Sequence, residues 1–123
     1  MNQVIWIAFG GAIGAILRYL TAVGINLLMP LNFPLGTLVV NILGCFIIGI
    51  VFASLNQLPN FESTLKPFLV IGILGGFTTF SSYAMELLQL TQTQQFGKAL
   101  FYFSLSNFGG FAAAWLGFKT FSA

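Results

Sequence analysis

The stretch GGFTTFSSYAMEL, residues 75–87, lies between the apolar runs FLVIGIL (68–74) and LQL (88–90). The combined segment is long enough to cross a bilayer, which takes roughly 20 predominantly apolar residues. Its centre is nevertheless a poor helix interior. Glycine costs about 1 kcal/mol there relative to alanine, and β-branched threonine costs less but still opposes the helix. A spanning helix with a break at mid-membrane is the reading that decides the fold.

The rest of the chain supports a membrane setting. Of its 123 residues, 58% are hydrophobic and only 5% charged. A soluble domain carries about 25% charged residues, so this chain cannot cover a water-facing surface. Four apolar runs qualify as spans, the opening segment belonging to the third. The first covers about Val4–Leu28 and stops before Met29-Pro30, and the second runs from Pro34 to about Leu55, with Pro34 suited to a first helical turn. The third covers about 65–90 and the fourth about 96–121. The intervening loops PLNF, NQLPNFEST and TQTQQ are short. Continuous rather than alternating apolar runs exclude a barrel. The expected fold is an all-α membrane protein, residues 1–123 forming a single four-helix transmembrane domain with a break in the third helix.

Charge and composition exclude several functions. A net charge of +2 offers no electrostatic footprint for nucleic acid. Histidine is absent and Cys45 is the single cysteine, which leaves no internal disulfide and almost no ligands for a transition metal. No nucleophile–base pair suggests an enzyme. The N-terminal run lacks a basic flank and is too long for a cleavable leader.

Four spans put both termini on one side, together with Glu62, Lys66 and Lys119. Lys98 falls on the other side, and Arg18 in the far half of the first helix. Orientation follows the Lys/Arg bias between loops. That bias nearly vanishes here, so dual topology is expected. Small residues recur at packing spacing: Gly10 and Gly14, Gly72 and Gly76, and more loosely Gly110/Ala114 and Ala113/Gly117. Such spacing lets helices approach closely in lipid, and the set suggests tight bundling with a second subunit.

Polar residues form stripes within the spans. Thr37 and Asn41 share a face of the second helix, with Gly44 one turn on. Tyr102 and Ser106 share a face of the fourth. On the third, Phe80 and Tyr83 share one face, while Thr79, Ser82 and Glu86 fall on another. Neutral hydroxyls often serve only as interhelical glue. An amide such as Asn41 is costlier to bury, and Glu86 and Arg18 are functional candidates because ionisable groups in spans are rare. A break within residues 75–79, at Gly75-Gly76 and Thr78-Thr79, frees backbone carbonyls, which broken helices commonly offer to a cation. Without a carboxylate cluster, such carbonyls suit an alkali ion. Aromatic rings carry a positive edge, so Phe80 and Tyr83 are placed to meet a small anion, although composition alone favours packing for them.

At these residues the sequence resembles the CrcB/Fluc family of fluoride channels, over essentially the whole chain. Gly10-Gly11-Ala12-Ile13-Gly14-Ala15 with Arg18-Tyr19 looks like the family's first-helix motif. Phe33-Pro34-Leu35-Gly36-Thr37 with Val40-Asn41 and Gly44 looks like its second. Gly72, Gly75-Gly76 and Thr78-Thr79-Phe80-Ser81 look like its most specific signature. The resemblance implies an antiparallel homodimer in the cell (inner or plasma) membrane that passively exports fluoride. It implies a pathway at Asn41, Phe80, Tyr83, Tyr102 and Ser106, with a polar track at Thr37, Ser82 and Glu86. It also implies a structural Na+ on the carbonyls of Gly75 and Thr78 from both copies. Two positions depart from the family's pattern: Tyr83 replaces the usual Phe, and Gly110 replaces a frequent serine.

The physical logic favours fluoride, a small and strongly hydrated ion whose water must be replaced by close donors, bound neither too weakly nor too tightly to pass. The competing reading is a small four-helix multidrug or cation exporter. That class centres a carboxylate in its first helix, where this chain carries Arg18 and no acid.

Overall fold

The computed structural model of the chain describes residues 2–122. Met1 and Ala123, the ends of the expected 1–123 unit, lie outside the described residues. The described residues are helical apart from short connections and contain no strand. In chain order they form α1 (Asn2–Leu28), α2 (Leu35–Ser54), a π-helix (Phe61–Leu74), α3 (Gly75–Phe77), α4 (Phe80–Gln92) and α5 (Phe96–Phe121). The π-helix, α3 and α4 together make one bent span, so four helical stretches of 27, 20, 32 and 26 residues are long and apolar enough to cross a membrane.

The ends of these helices follow from local chemistry. Pro30 restricts Met29 and closes α1. Pro34 sits just outside α2 rather than in its first turn, correcting the expected start. Its φ of −76° and ψ of 63°, with the Leu35 N–H donating to the Phe33 carbonyl at 2.7 Å, form an inverse γ-turn. The side chain of Asn26 then caps α2 from α1, its Oδ1 accepting from the Gly36 N–H at 3.2 Å.

The third span starts at Phe61, before the expected Leu65. Asn60 takes a left-handed φ of 65° that ends the preceding turn, a conformation asparagine tolerates better than most residues. Phe61 is buried with Val51 and Leu74, which fixes the entry of the span. Backbone bonding there reaches across five residues, as from the Leu65 N–H to the Asn60 carbonyl at 3.3 Å and from the Gly75 N–H to the Val70 carbonyl. Pro67 lies inside this segment, where its missing N–H and its ring oppose a regular α-helix. The wider winding accommodates it.

The break itself falls at Thr78-Thr79, where Thr78 has ψ 155° and Thr79 has φ −146° and ψ 119°. Gly75 and Gly76 remain helical, so the β-branched pair rather than the glycine pair leaves the helix.

Glycines set the packing. α1 lies along the third span in parallel, Gly10 against Gly72 and Gly14 against Ile73 and Phe77, with no room for a Cβ at either position. α2 and α5 are likewise parallel: Gly49 meets Ala114 and Gly117 meets Phe46. These small-residue pairs are therefore used inside the chain, and they do not by themselves call for a second subunit. Residues 29–34 and 93–95 come together at one end of the bundle, tied by the Lys98 ammonium on the Asn32 carbonyl at 3.0 Å. The opposite end carries the exposed Glu62–Lys66 pair at 3.0 Å and Lys119 over the ring of Trp115.

Candidate functional site

α2 runs antiparallel to the third span and presents Thr37, Asn41 and Gly44 to it in sequence. Gly44 packs against the Thr78 methyl. Asn41 grips the break: its Nδ2 donates to the Thr79 carbonyl at 3.0 Å, and its Oδ1 accepts from the Thr79 N–H at 2.8 Å. Thr37 donates to Oε1 of Glu86 at 2.7 Å. The second carboxylate oxygen accepts from the Tyr102 hydroxyl, also at 2.7 Å. Glu86 is thus held between α2 and α5 rather than free at a helix end.

The break redirects backbone donors in a way that matters chemically. In an unbroken helix the Thr79 N–H would close on the Gly75 carbonyl, and the Ser82 N–H on the Thr78 carbonyl. The first goes to Asn41 instead. The second goes to the Thr79 hydroxyl at 3.2 Å, which caps α4. Thr78 turns its own hydroxyl back onto the Leu74 carbonyl at 2.8 Å. Gly75 and Thr78 are therefore left with carbonyl oxygens that have lost their helical partners, and Gly75 lies on the exposed surface of the chain. No group of three or more His, Cys, Asp and Glu side chains occurs among the described residues.

The aromatic residues occupy different environments. Tyr102 is fully buried and Tyr83 only 6% exposed, their rings in edge contact with centroids 5.1 Å apart. Phe80 touches Tyr83 at 5.6 Å but is itself 78% exposed. Phe80 and Tyr83 keep to one side of α4 with their rings in contact, but they differ in burial: Phe80 opens α4 beside the break and is exposed, while Tyr83 is buried.

Two recesses of about 420 Å³ flank this aromatic pair. One is lined by Asn41, Thr78, Thr79, Phe80, Tyr83 and Ser106, with Asn107 at its edge. The other opens at the end of the bundle beside Asn32, Glu86, Gln89 and Thr93. Ser106 Oγ is buried without a hydrogen-bond partner, although a buried hydroxyl ordinarily finds one. Tyr83 lines the first recess and Glu86 the second, and Tyr102 touches both residues, with Thr37 bonded to Glu86. Ser82, half-buried, gives its N–H to the cap at the break. Arg18 is half-buried on α1, remote in sequence from this constellation. Gly10 and Gly14 are buried in the seam between α1 and the third span.

One participant escapes sequence reasoning. Asn107 donates from Nδ2 to the Tyr83 hydroxyl at 3.1 Å and to the Phe103 carbonyl at 2.8 Å. The available signal was a further amide within a span, one residue beyond Ser106.

Comparison with known proteins follows the same lines. A family model described as CrcB-like protein, Camphor Resistance (CrcB), matches residues 5–118. A protein named fluoride-specific ion channel FluC from Flavobacterium psychrophilum is 44% identical over 117 residues, covering 95% of this chain and 94% of its own length. Proteins of the same name are 46% identical in Shewanella pealeana, covering 82% of this chain and 81% of the relative. In Leptospira interrogans the identity is 40%, with 94% of each chain covered. With a bent third span, polar residues gathered around its break, and similarity along nearly its whole length, the chain belongs to the CrcB family.

Proposed function

We propose that the chain is a fluoride channel that lets the ion leave the cell passively down its electrochemical gradient. The observation that carries this reading is the set of uncharged donors between the two recesses. The Asn41 amide, the Ser106 hydroxyl and the tyrosine rings line or separate them, with no fixed cation among them. Donors without a full positive charge can replace the hydration of a small anion and still release it. The relatives' printed name, fluoride-specific ion channel, supports the same ion.

The pathway residues in this reading are Asn41, Phe80, Tyr83, Tyr102 and Ser106, with Thr37, Ser82 and Glu86 along its polar side. A second copy of the chain, inserted in the opposite orientation in the cell membrane, completes the walls. The outward-facing Phe80 and the exposed Gly75 support that partner, since a pore-lining ring and a carbonyl ligand gain nothing from facing lipid. The same reading includes a resident Na+ between the copies. The carbonyls freed at Gly75 and Thr78 fit such an ion, two from each copy, and Asn41 and Thr79 are the residues that hold those oxygens open. Bound there, the ion supplies a fixed positive charge at the centre of the assembly.

The test is efflux from liposomes loaded with fluoride or with chloride, followed by ion-selective electrodes. The channel reading expects rapid fluoride release and little chloride release. Absence of fluoride release, or equal release of both ions, overturns it. An exporter of organic cations would instead need a proton-coupled carboxylate, and Glu86 is engaged by two hydroxyl donors within the bundle.

A further inference from the structure

Asn107 and Tyr83 make a hydrogen-bonded contact between α5 and α4 at the recess that neither the polar track nor the break explains. The direction of that bond is fixed by chemistry. The Phe103 backbone carbonyl can only accept, so the Asn107 atom 2.8 Å from it is the amide nitrogen. The same nitrogen lies 3.1 Å from the Tyr83 oxygen, and its second hydrogen goes there. Tyr83 Oη is therefore an acceptor in this pair, and its own proton is left for another partner. Both residues line the same recess as Asn41 and Ser106.

We infer that Asn107 is a positioning residue: by occupying one side of the Tyr83 oxygen it turns the phenolic proton toward the recess, adding a hydroxyl donor to the anion path. The inference rests on the channel reading and deepens it, since it assigns the chain's tyrosine a donor role that a phenylalanine at the same place could not play. A bond accepted by a hydroxyl also strengthens the bond it donates, so Asn107 both aims and polarises the donor. Fluoride, a compact acceptor, is the ligand class this arrangement suits.

A double-mutant cycle on fluoride efflux tests it, using Asn107→Leu and Tyr83→Phe alone and together, with assembly of each protein checked by gel filtration. Asn107→Leu is expected to slow efflux about tenfold in the parent, the factor carried by a lost hydrogen bond to an ion. In the Tyr83→Phe background the same change is expected to do little, because no hydroxyl remains to be aimed. The fluoride concentration at half-maximal rate should rise in both single variants. An Asn107→Leu effect of equal size in both backgrounds means that the side chain only supports the helix, and overturns the inference. Asn107→Ala repeats the cycle should the leucine variant fail to assemble. Parent protein that releases no fluoride defeats the channel reading itself. Parent protein that conducts while the cycle is additive defeats only the role of Asn107.

Discussion

Asn41 and Thr79, 38 positions apart in the chain, are joined by two hydrogen bonds that take up both the N–H and the carbonyl of one peptide residue. The side chain replaces the helical partners that the extended Thr79 backbone has lost. Thr79 is buried, 7% exposed, and Asn41 satisfies both groups there. The break in the third span is consequently a property of α2 as much as of the third span. One amide hydrogen of Asn41 remains after both bonds, and the residue lines the recess together with Ser106.

Asn41→Asp is expected to abolish fluoride efflux. The carboxylate keeps an acceptor for the Thr79 N–H, but it sets a negative oxygen against the Thr79 carbonyl and against any anion in the recess. Leaving a buried group unsatisfied costs about 1–3 kcal/mol, and the added repulsion falls on the ion itself. Electrode recordings from reconstituted protein check this, and unchanged flux would remove Asn41 from the pathway.

Substitutions on the α1 seam separate packing from composition. Gly14→Ala places a methyl against the Ile73 carbonyl and 2.9 Å from the Phe77 nitrogen, backbone atoms that cannot swing aside. Overpacking of this kind costs about 1–3 kcal/mol. Gly11→Ala meets nothing within 4 Å, and alanine is the better helix former. The thermal unfolding midpoint in detergent should therefore fall for Gly14→Ala and stay level or rise for Gly11→Ala.

Much of this was legible before any coordinates. Four long apolar runs and three short loops set the number of spans, because a membrane demands length and apolarity more than any particular partner. The disturbance in the third span was legible too, from Gly75-Gly76 and Thr78-Thr79. The break falls inside that stretch, at its threonine end. Propensity pointed to the glycines, yet these stay helical, because the donor diversion depends on an asparagine from another helix. Likewise, i and i+3 spacing put Phe80 and Tyr83 side by side, as their ring contact shows, but it did not tell that one would be exposed and the other buried. Asn107 was passed over for a related reason. Its significance lies in a bond to Tyr83 across two helices, and no spacing within α5 encodes it.

The Glu86 carboxylate should prove coupled to both of its donors. Tyr102→Phe removes the bond to Oε2 while keeping the buried ring, and Thr37→Val removes the bond to Oε1 at nearly constant volume. Each is expected to slow fluoride efflux. Cycles of either change with Glu86→Gln should return a coupling of about 1–3 kcal/mol, since the groups share hydrogen bonds. Additive losses in efflux and unfolding measurements would mean that the three side chains act apart.

The proposed Na+ makes stability depend on the cation in the buffer. A ligand bound only by the folded protein stabilises it in proportion to the logarithm of its concentration, so the unfolding midpoint should be higher in sodium chloride than in N-methylglucamine chloride after prolonged exchange. Thr79→Ala weakens that dependence for a specific reason. Loss of the hydroxyl removes the cap, a change worth about 1 kcal/mol, and releases the Ser82 N–H that it held at 3.2 Å. The break is then held by Asn41 alone, so the Thr78 carbonyl is less firmly fixed toward the cation. The variant is expected to unfold at a lower temperature and to respond less to sodium than the parent. A parent whose midpoint ignores sodium even after long exchange removes the ion from this site, and a variant that keeps the full response removes Thr78 from its ligands.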